Sequence, residues 1–94
     1  MFNRQRKKID KIDDKIVRLL NKRAKIALEI GKEKRDRKMN IEDPEREEEV
    51  IKSIKQESDG PLGEKSIENI FNAIIGEMKR IEEEVNNHDC GNET

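Results

Sequence analysis

The chain has 94 residues, of which 46% are charged, 31% are hydrophobic and two are aromatic. This length allows one domain at most, and so short a chain buries only a modest hydrophobic core when it folds alone. So polar a composition is typical of disorder when apolar residues are scattered, but here they recur at regular spacing, so we expect disorder only at the ends. No apolar run reaches the roughly 18 residues of a membrane span and no apolar signal segment is present, which predicts a cytoplasmic protein without membrane association.

The first predicted element is a long helix from about Asn3 to about Lys38. Its apolar residues recur at steps of three, four and seven, which places them on one helical face. They are Ile9, Ile12, Ile16, Leu19, Leu20, Ala27 and Ile30. At about 1.5 Å per residue the helix is roughly 50 Å long, so it projects from any compact monomer of this size. Its apolar face therefore needs a cover from elsewhere.

Two shorter helices are predicted after it. Asp43 and Pro44 indicate the start of the second helix, because Asp is a preferred N-cap and Pro fits the first helical position. This short helix ends near Glu57, before a Ser-Asp-Gly-Pro sequence that breaks the chain. The apolar residues of the third, medium-length helix are Ile67, Ile70, Phe71, Ile74, Ile75, Met78, Ile81 and Val85. We therefore predict an all-α domain over residues 1–85, followed by a polar, disordered tail over residues 86–94.

The tail contains two possible metal ligands, His88 and Cys90, two positions apart. Two ligands on a polar tail make a poor metal site, so we predict no bound metal. Because Cys90 is the single cysteine, an internal disulfide framework is excluded.

The net charge of −1 conceals two halves of opposite sign. Residues 1–38 contain 15 basic and 6 acidic residues, a net charge of +9, whereas residues 39–94 contain 6 and 16, a net charge of −10. The basic residues 4–8 would suit a helical nucleic-acid-binding or oligomerisation module. We favour packing of the basic half against the acidic half, and no nucleic acid, because interleaved aromatic residues are lacking and the acidic half repels phosphates.

Three charged residues interrupt the predicted apolar faces. With Ile9 at zero on a helical wheel, Arg23 and Lys34 fall at about 320° and 340°, inside the apolar sector. Glu82 interrupts the face of the third helix in the same way. Burying an unpaired charge is costly, so these residues need partners. The two cations lie about 16 Å apart along the helix and suit a compact anion, while an ion pair of Glu82 with either cation is an equal alternative.

Five short motifs follow one another along the chain. They are Arg6-x-x-Ile9-x-x-Ile12-Asp13, Leu19-Leu20-x-x-Arg23, Ile30-Gly31-x-x-Lys34, Asp43-Pro44-x-Arg46-Glu47, and Ile70-Phe71-x-x-Ile74-Ile75 with Glu82 eleven residues after Phe71. In this order they resemble the all-helical (AroQ-type) chorismate mutases over about residues 4–85. The resemblance implies an intertwined helical homodimer in which the long helices of two protomers pair, which would cover the apolar face. It also implies conversion of chorismate to prephenate, in the part of the shikimate pathway that leads to phenylalanine and tyrosine.

The resemblance implies a role for each charged residue of the motifs. Arg6 matches an arginine that enters the active site of the partner protomer, and Arg23 matches one that pairs with a substrate carboxylate. Lys34 matches a lysine that contacts both a carboxylate and the ether oxygen of the substrate. Because this reaction is an intramolecular Claisen rearrangement, the resemblance implies neither a cofactor nor a metal.

The remaining matched positions surround the ring hydroxyl and the ether oxygen. Asp43, through its backbone, and Glu47 match positions that bind the ring hydroxyl, and Arg46 matches an arginine that supports them. Glu82 matches the position whose side chain donates a hydrogen bond to the ether oxygen. With Arg23 and Lys34, it completes the predicted catalytic set.

The sequence departs from the family pattern at two positions. Many members have glutamine where this chain has Glu82, and glutamate donates a hydrogen bond only when it is protonated. We therefore predict that activity declines as pH rises. Met78 stands where the family often has a serine near a substrate carboxylate, so this contact is predicted to be lost unless Met78 only fills core space.

A second enzyme class uses a similar scaffold and pocket. The isochorismate pyruvate lyases resemble these mutases, and incubation with both substrates would separate the two activities. Lys34 and the complete Asp43-Pro44-Glu45-Arg46-Glu47 set favour the mutase. Stimulation by a partner enzyme of the same pathway is left open by the sequence.

Overall fold

The computed structural model describes residues 1–92, with side chains as far as Asn86. Its three α-helices are α1 (Asn3–Asp36), α2 (Pro44–Glu57) and α3 (Glu64–Asn92). The predicted all-α class with three helices is confirmed. No helix within residues 1–92 has the length and apolar character of a membrane span.

The predicted tail of residues 86–94 falls mostly beyond the described side chains. The backbone of α3 runs to Asn92, whereas the side chains of His88 and Cys90 lie outside the described residues. The boundary between domain and tail after residue 85 therefore stays a prediction.

Helix α1 ends two residues before the predicted Lys38 because the chain turns there. Lys38 adopts the left-handed conformation, with φ of 57°. Its N–H donates to the carbonyl of Arg35 at 3.1 Å, and the N–H of Met39 donates to the carbonyl of Lys34 at 2.7 Å. These two bonds satisfy terminal carbonyls of α1 and stop the helix.

Helix α2 begins where the sequence predicts. The side chain of Asp43 accepts a hydrogen bond from the backbone N–H of Arg46 at 3.2 Å, and Pro44 occupies the first helical position. The carboxylate of Glu47 in turn accepts from the N–H of Asp43 at 3.4 Å. The cap therefore also determines where Asp43 and Glu47 lie relative to each other.

Helix α3 packs against both other helices. It runs antiparallel to α2, because Lys79 pairs with Glu47 near the start of α2 and Glu68 pairs with Lys55 near its end. It meets α1 at Gly31, which is buried. The start of α2 and the middle of α3 are thereby brought beside the C-terminal half of α1.

The chain alone leaves most of the apolar face of α1 uncovered. The molecule measures 57 × 28 × 15 Å, and its radius of gyration of 16.7 Å exceeds the roughly 12–13 Å of a compact chain of this length. The buried core consists of Ala27, Ile75 and Met78. Several apolar residues of α1 are between 44% and 63% exposed: Ile9, Ile12, Ile16, Leu19, Ile26 and Ile30. So large an apolar face on a short chain indicates an interaction surface.

Candidate active site

An open cavity of about 380 Å³ lies between the C-terminal half of α1, the start of α2 and the middle of α3. Its wall combines aliphatic side chains with charged ones. The charged residues of the wall are Arg23, Lys34, Arg46, Lys79, Asp43, Glu47 and Glu82. A cavity with four cations and an aliphatic wall suits an anion that also has an apolar body.

The fold brings together all but one of the residues singled out in the sequence. Those that line the cavity are Arg23, Lys34, Asp43, Arg46, Glu47, Met78 and Glu82. Arg6 lies on the exposed N-terminal part of α1, about 25 Å along the helix from Arg23. The cavity therefore holds the predicted set without Arg6.

Two cations of α1, Arg23 and Lys34, are half-buried and lie on the cavity side of the helix. The ammonium of Lys34 donates a hydrogen bond to the backbone carbonyl of Ile41 at 2.9 Å, which ties the connection between α1 and α2 to the cavity. An ammonium has three donors, so two remain for a ligand. Among the described side chains, Arg23 and Lys34 form no salt bridge with Glu82, but the positive charges of both act on its carboxyl through space.

Glu82 is 7% exposed and is the one charged residue that is buried among the described side chains. Burial raises the pKa of its carboxyl, because the charged form loses solvation. The positive charges of Lys34 and Arg23 lower this pKa, the charge of Glu83 raises it, and the net shift is upward. The carboxyl thus stays protonated to a higher pH than an ordinary glutamate, and the protonated form can donate a hydrogen bond into the cavity.

Gly31 allows the close approach of Glu82 to α1. A Cβ at residue 31 would lie 3.1 Å from the Cγ and 3.2 Å from the Cβ of Glu82, so Glu82 would have to move by a few tenths of an ångström. Because Glu82 belongs to the predicted catalytic set, and small displacements of a catalytic group are costly, we expect Gly31→Ala to lower kcat/KM several-fold. The melting temperature should change little, since the better helix propensity of Ala offsets the tighter packing.

Steady-state kinetics and thermal melting of Gly31→Ala, beside Gly76→Ala, check this expectation. Gly76 also lies in a helix, but a Cβ there meets no atom within 4 Å. Equal activity of the two variants would contradict the importance of the close approach.

The carboxylate of Glu47 is held from two sides. Its Oε1 accepts a hydrogen bond from the ammonium of Lys79 at 3.1 Å, and its Oε2 accepts from the N–H of Asp43 at 3.4 Å. The guanidinium of Arg46 instead contacts Glu49 at 3.4 Å and is 68% exposed. The predicted supporting role of the Arg46 side chain therefore stays a prediction, although its backbone N–H takes part in the helix cap.

Lys79 and Ile41 are among the cavity residues that were not singled out in the sequence. Lys79 lies four residues after Ile75 and three before Glu82, a spacing that places it on the edge of the same helical face. That spacing was the available signal, but it does not distinguish Lys79 from the other lysines at the edge of a helix. Ile41 belongs to the connection between helices, where periodicity is not informative.

Met78 is buried together with Ala27 and Ile75 and also lines the cavity. Its side chain fills core space, as one of the two sequence interpretations holds. A thioether donates no hydrogen bond, so this part of the wall contacts a ligand only through apolar atoms.

Comparisons with known proteins agree with this fold. The family model described as chorismate mutase type II matches residues 5–83. A chorismate mutase structure from Thermus thermophilus (form II) superposes with a TM-score of 0.85 at 30% identity, covering 87% of this chain and 93% of that chain. Form I of the same enzyme has a TM-score of 0.79 at 30% identity, covering 82% of this chain and 96% of that chain.

Two curated relatives are longer proteins. The bifunctional chorismate mutase/prephenate dehydratase of Aquifex aeolicus is 37% identical over 84 residues, which are 85% of this chain and 23% of that protein. The protein of the same name from Neisseria gonorrhoeae is 38% identical over 77 residues, which are 82% of this chain and 21% of that protein. This chain thus spans less than a quarter of the length of these relatives. With the family model matching most of its residues, the chain belongs to the chorismate mutase type II family.

Proposed function

We propose that the chain catalyses the rearrangement of chorismate to prephenate. The observation that carries the proposal is the meeting of Arg23 and Lys34 of α1 with the buried Glu82 of α3 in one aliphatic cavity. Chorismate is a dianion with an apolar ring, which matches cations set in an aliphatic wall. Membership of the family supports the same reaction.

Binding of the substrate follows from the cations. We assign one carboxylate to the guanidinium of Arg23, whose planar fork holds a carboxylate in a fixed orientation. The ammonium of Lys34 contacts a carboxylate and the ether oxygen, and Glu47 with the backbone of Asp43 receives the ring hydroxyl. Holding the substrate in its folded, reactive conformer supplies the orientation part of catalysis.

Stabilisation of the transition state follows from two hydrogen-bond donors. Negative charge grows on the ether oxygen as the C–O bond breaks, so a donor aimed at this atom stabilises the transition state more than the substrate. Lys34 provides one donor and the protonated carboxyl of Glu82 the other. The raised pKa of Glu82 supports this role.

The proposed activity is tested by incubating the protein separately with chorismate and with isochorismate. Prephenate should form from chorismate, and pyruvate should form from neither substrate. Formation of pyruvate from isochorismate without prephenate would replace the proposed activity with that of a lyase. No turnover of either substrate would overturn the proposal.

We further propose that two copies of the chain form an intertwined homodimer in which each Arg6 enters the cavity of the partner. The half-exposed apolar face of α1 supports this assembly, because a second α1 would remove it from water. The position of Arg6, far from the cavity of its own protomer, supports it as well.

The shared site predicts that two inactive variants restore each other. In a heterodimer of Arg6→Ala and Lys34→Ala chains, one cavity has both Arg6 and Lys34, whereas the other has neither. Co-refolding equal amounts should therefore recover about a quarter of the wild-type activity, since about half of the dimers are mixed and each has one intact site. The mass in light scattering should be about twice the 11.0 kDa of the chain.

Arg4→Ala co-refolded with Lys34→Ala provides the control, since Arg4 is a neighbouring exposed arginine of the same helix. That mixture should show the activity of the Arg4→Ala chains that it contains. A monomeric mass, or no recovery from the Arg6→Ala mixture, would contradict the shared site.

The names of the curated relatives suggest a metabolic pathway for this chain. In the two curated relatives, the chorismate mutase is named together with a prephenate dehydratase, an enzyme that would consume prephenate. We propose that this chain likewise supplies prephenate for phenylalanine and tyrosine. The cytoplasmic location stays a prediction.

A further inference from the structure

Lys79 of α3 contacts two carboxylates, that of Glu42 shortly before α2 and that of Glu47 in the first turn of α2. Its ammonium lies 3.1 Å from Oε1 of Glu47 and 3.6 Å from Oε1 of Glu42. The side chains of Lys79 and Glu47 are 28% and 29% exposed, so this contact is partly shielded from water, and both residues line the cavity. The family motifs quoted above assign no role to this lysine.

We infer that Lys79 is a positioning residue for the proposed reaction, because it holds the Glu47 carboxylate in the orientation that binds the ring hydroxyl of the substrate. The inference rests on the proposed function, since it deepens the role given to Glu47. Lys79 itself acts through Glu47 and makes no contact with the reacting atoms.

The contacts of Glu47 explain why Lys79 is needed. The other hold on this carboxylate is the N–H of Asp43, at a longer distance of 3.4 Å. Arg46, the neighbouring cation on α2, directs its guanidinium to Glu49 instead. Without Lys79, the carboxylate would keep only the longer hydrogen bond from the N–H of Asp43 and would be held less firmly in one orientation.

Charge leads to the same inference. A dianionic substrate must enter a cavity that already contains the carboxylates of Asp43 and Glu47, and the ammonium of Lys79 compensates one of these charges. The hydrogen bond from Lys79 to Glu47 raises the lysine pKa above its ordinary value of 10.5, so the ammonium stays charged at every pH at which the enzyme would be assayed. The ammonium of Lys79 is therefore available in such assays to donate to Glu47.

A second ion pair offers a matched control for a purely structural role. Lys55 of α2 lies 3.2 Å from Glu68 of α3, and these side chains are 29% and 31% exposed. This pair also joins α2 to α3, at the opposite end of α2 and away from the cavity. If Lys79 only fastens the helices, replacing either lysine should have the same effect on activity.

The test measures kcat, KM and melting temperature with chorismate for the wild type, Lys79→Met and Lys55→Met. We expect Lys79→Met to raise KM about tenfold with kcat changed less than about threefold, because a hydrogen bond to the ring hydroxyl is present in both the substrate and the transition state. Lys55→Met should keep both constants within about twofold. Lys79→Arg, which keeps the charge and a donor, should restore most of the loss.

A double-mutant cycle separates positioning from direct contact. If Lys79 acts through Glu47, adding Lys79→Met to Glu47→Gln should lower kcat/KM by less than about twofold. Multiplicative effects of the two substitutions would overturn the inference, and so would equal kinetics of Lys79→Met and Lys55→Met. A wild type without activity on chorismate would overturn both the proposed function and this inference. If the wild type is active, multiplicative effects or equal kinetics of the two lysine variants would overturn this inference alone.

Discussion

Lys34→Ala is expected to lower kcat/KM for chorismate by about 100- to 1,000-fold, the effect of removing one preorganised donor at a developing negative charge. Lys34 is half-buried, lines the cavity and keeps two donors after its hydrogen bond to the carbonyl of Ile41. The loss should fall mainly on kcat, because the charge on the ether oxygen is greatest in the transition state. Steady-state measurement of prephenate formation checks this.

Lys32→Ala is the matched control, since Lys32 is an exposed lysine of α1 only two residues away and does not line the cavity. It should retain the activity of the wild type. Circular dichroism and thermal melting of both variants separate catalysis from folding, because Lys34→Ala also removes the tie between α1 and the connection to α2. Wild-type kcat in a folded Lys34→Ala protein would remove Lys34 from the catalytic role.

The second large effect concerns the protonation of Glu82. If the protonated carboxyl donates to the ether oxygen, kcat should be highest at acidic pH and should fall about tenfold per pH unit above the pKa of Glu82. The midpoint should lie above the ordinary glutamate pKa of 4.5, because burial raises this pKa. Glu82→Gln should keep its activity across the neutral range, since an amide donates a hydrogen bond at any pH.

The raised pKa of Glu82 also makes the free energy of unfolding depend on pH, because the folded and unfolded states bind the proton with different affinities. The native state binds the Glu82 proton more tightly than the unfolded state, so this group favours folding at low pH. Its contribution is lost as pH rises from about 4.5 through the raised pKa of the folded protein. Thermal melting should therefore show Glu82→Gln gaining stability relative to the wild type as pH increases over this interval.

Glu83→Gln tests whether the effect belongs to the buried carboxyl. Glu83 is exposed and raises the pKa of Glu82 by its negative charge, so its replacement should keep the pH dependence and move it slightly toward lower pH. A wild-type pH profile without acidic preference, unchanged in Glu82→Gln, would contradict the protonated donor.

Several features of the site could be predicted from residues that conflict with their surroundings. Arg23, Lys34 and Glu82 interrupt apolar helical faces, and an unpaired charge on such a face requires a partner or a ligand. The Asp43-Pro44 start of α2 was predictable because caps are local interactions between neighbouring residues. These features can be read from the sequence because they depend only on the regular geometry of an α-helix and on residues close together in the chain.

The position of Lys79 was not predictable in this way. The role inferred for Lys79 depends on its contact with Glu47, which is 32 residues away in the chain. That contact requires the antiparallel packing of α2 and α3. The end of α1 at Asp36 likewise depended on the left-handed turn at Lys38, a conformation for which glycine or asparagine is the usual signal. Nothing in the sequence around Lys79 or Lys38 distinguishes these two residues from the many solvent-exposed lysines of the chain.

The all-α class, the start of α2, the apolar face of α1 and the three charges that interrupt apolar helical faces could be read from the sequence alone. These follow from helical periodicity and local capping, because both depend on residues close together in the chain. The burial of Glu82 beside Gly31 and the hydrogen bond from Lys79 to Glu47 emerge only from the packing of the helices. Burial and long-range ion pairs depend on how helices are placed against one another, and that placement is set by the packing of the whole chain.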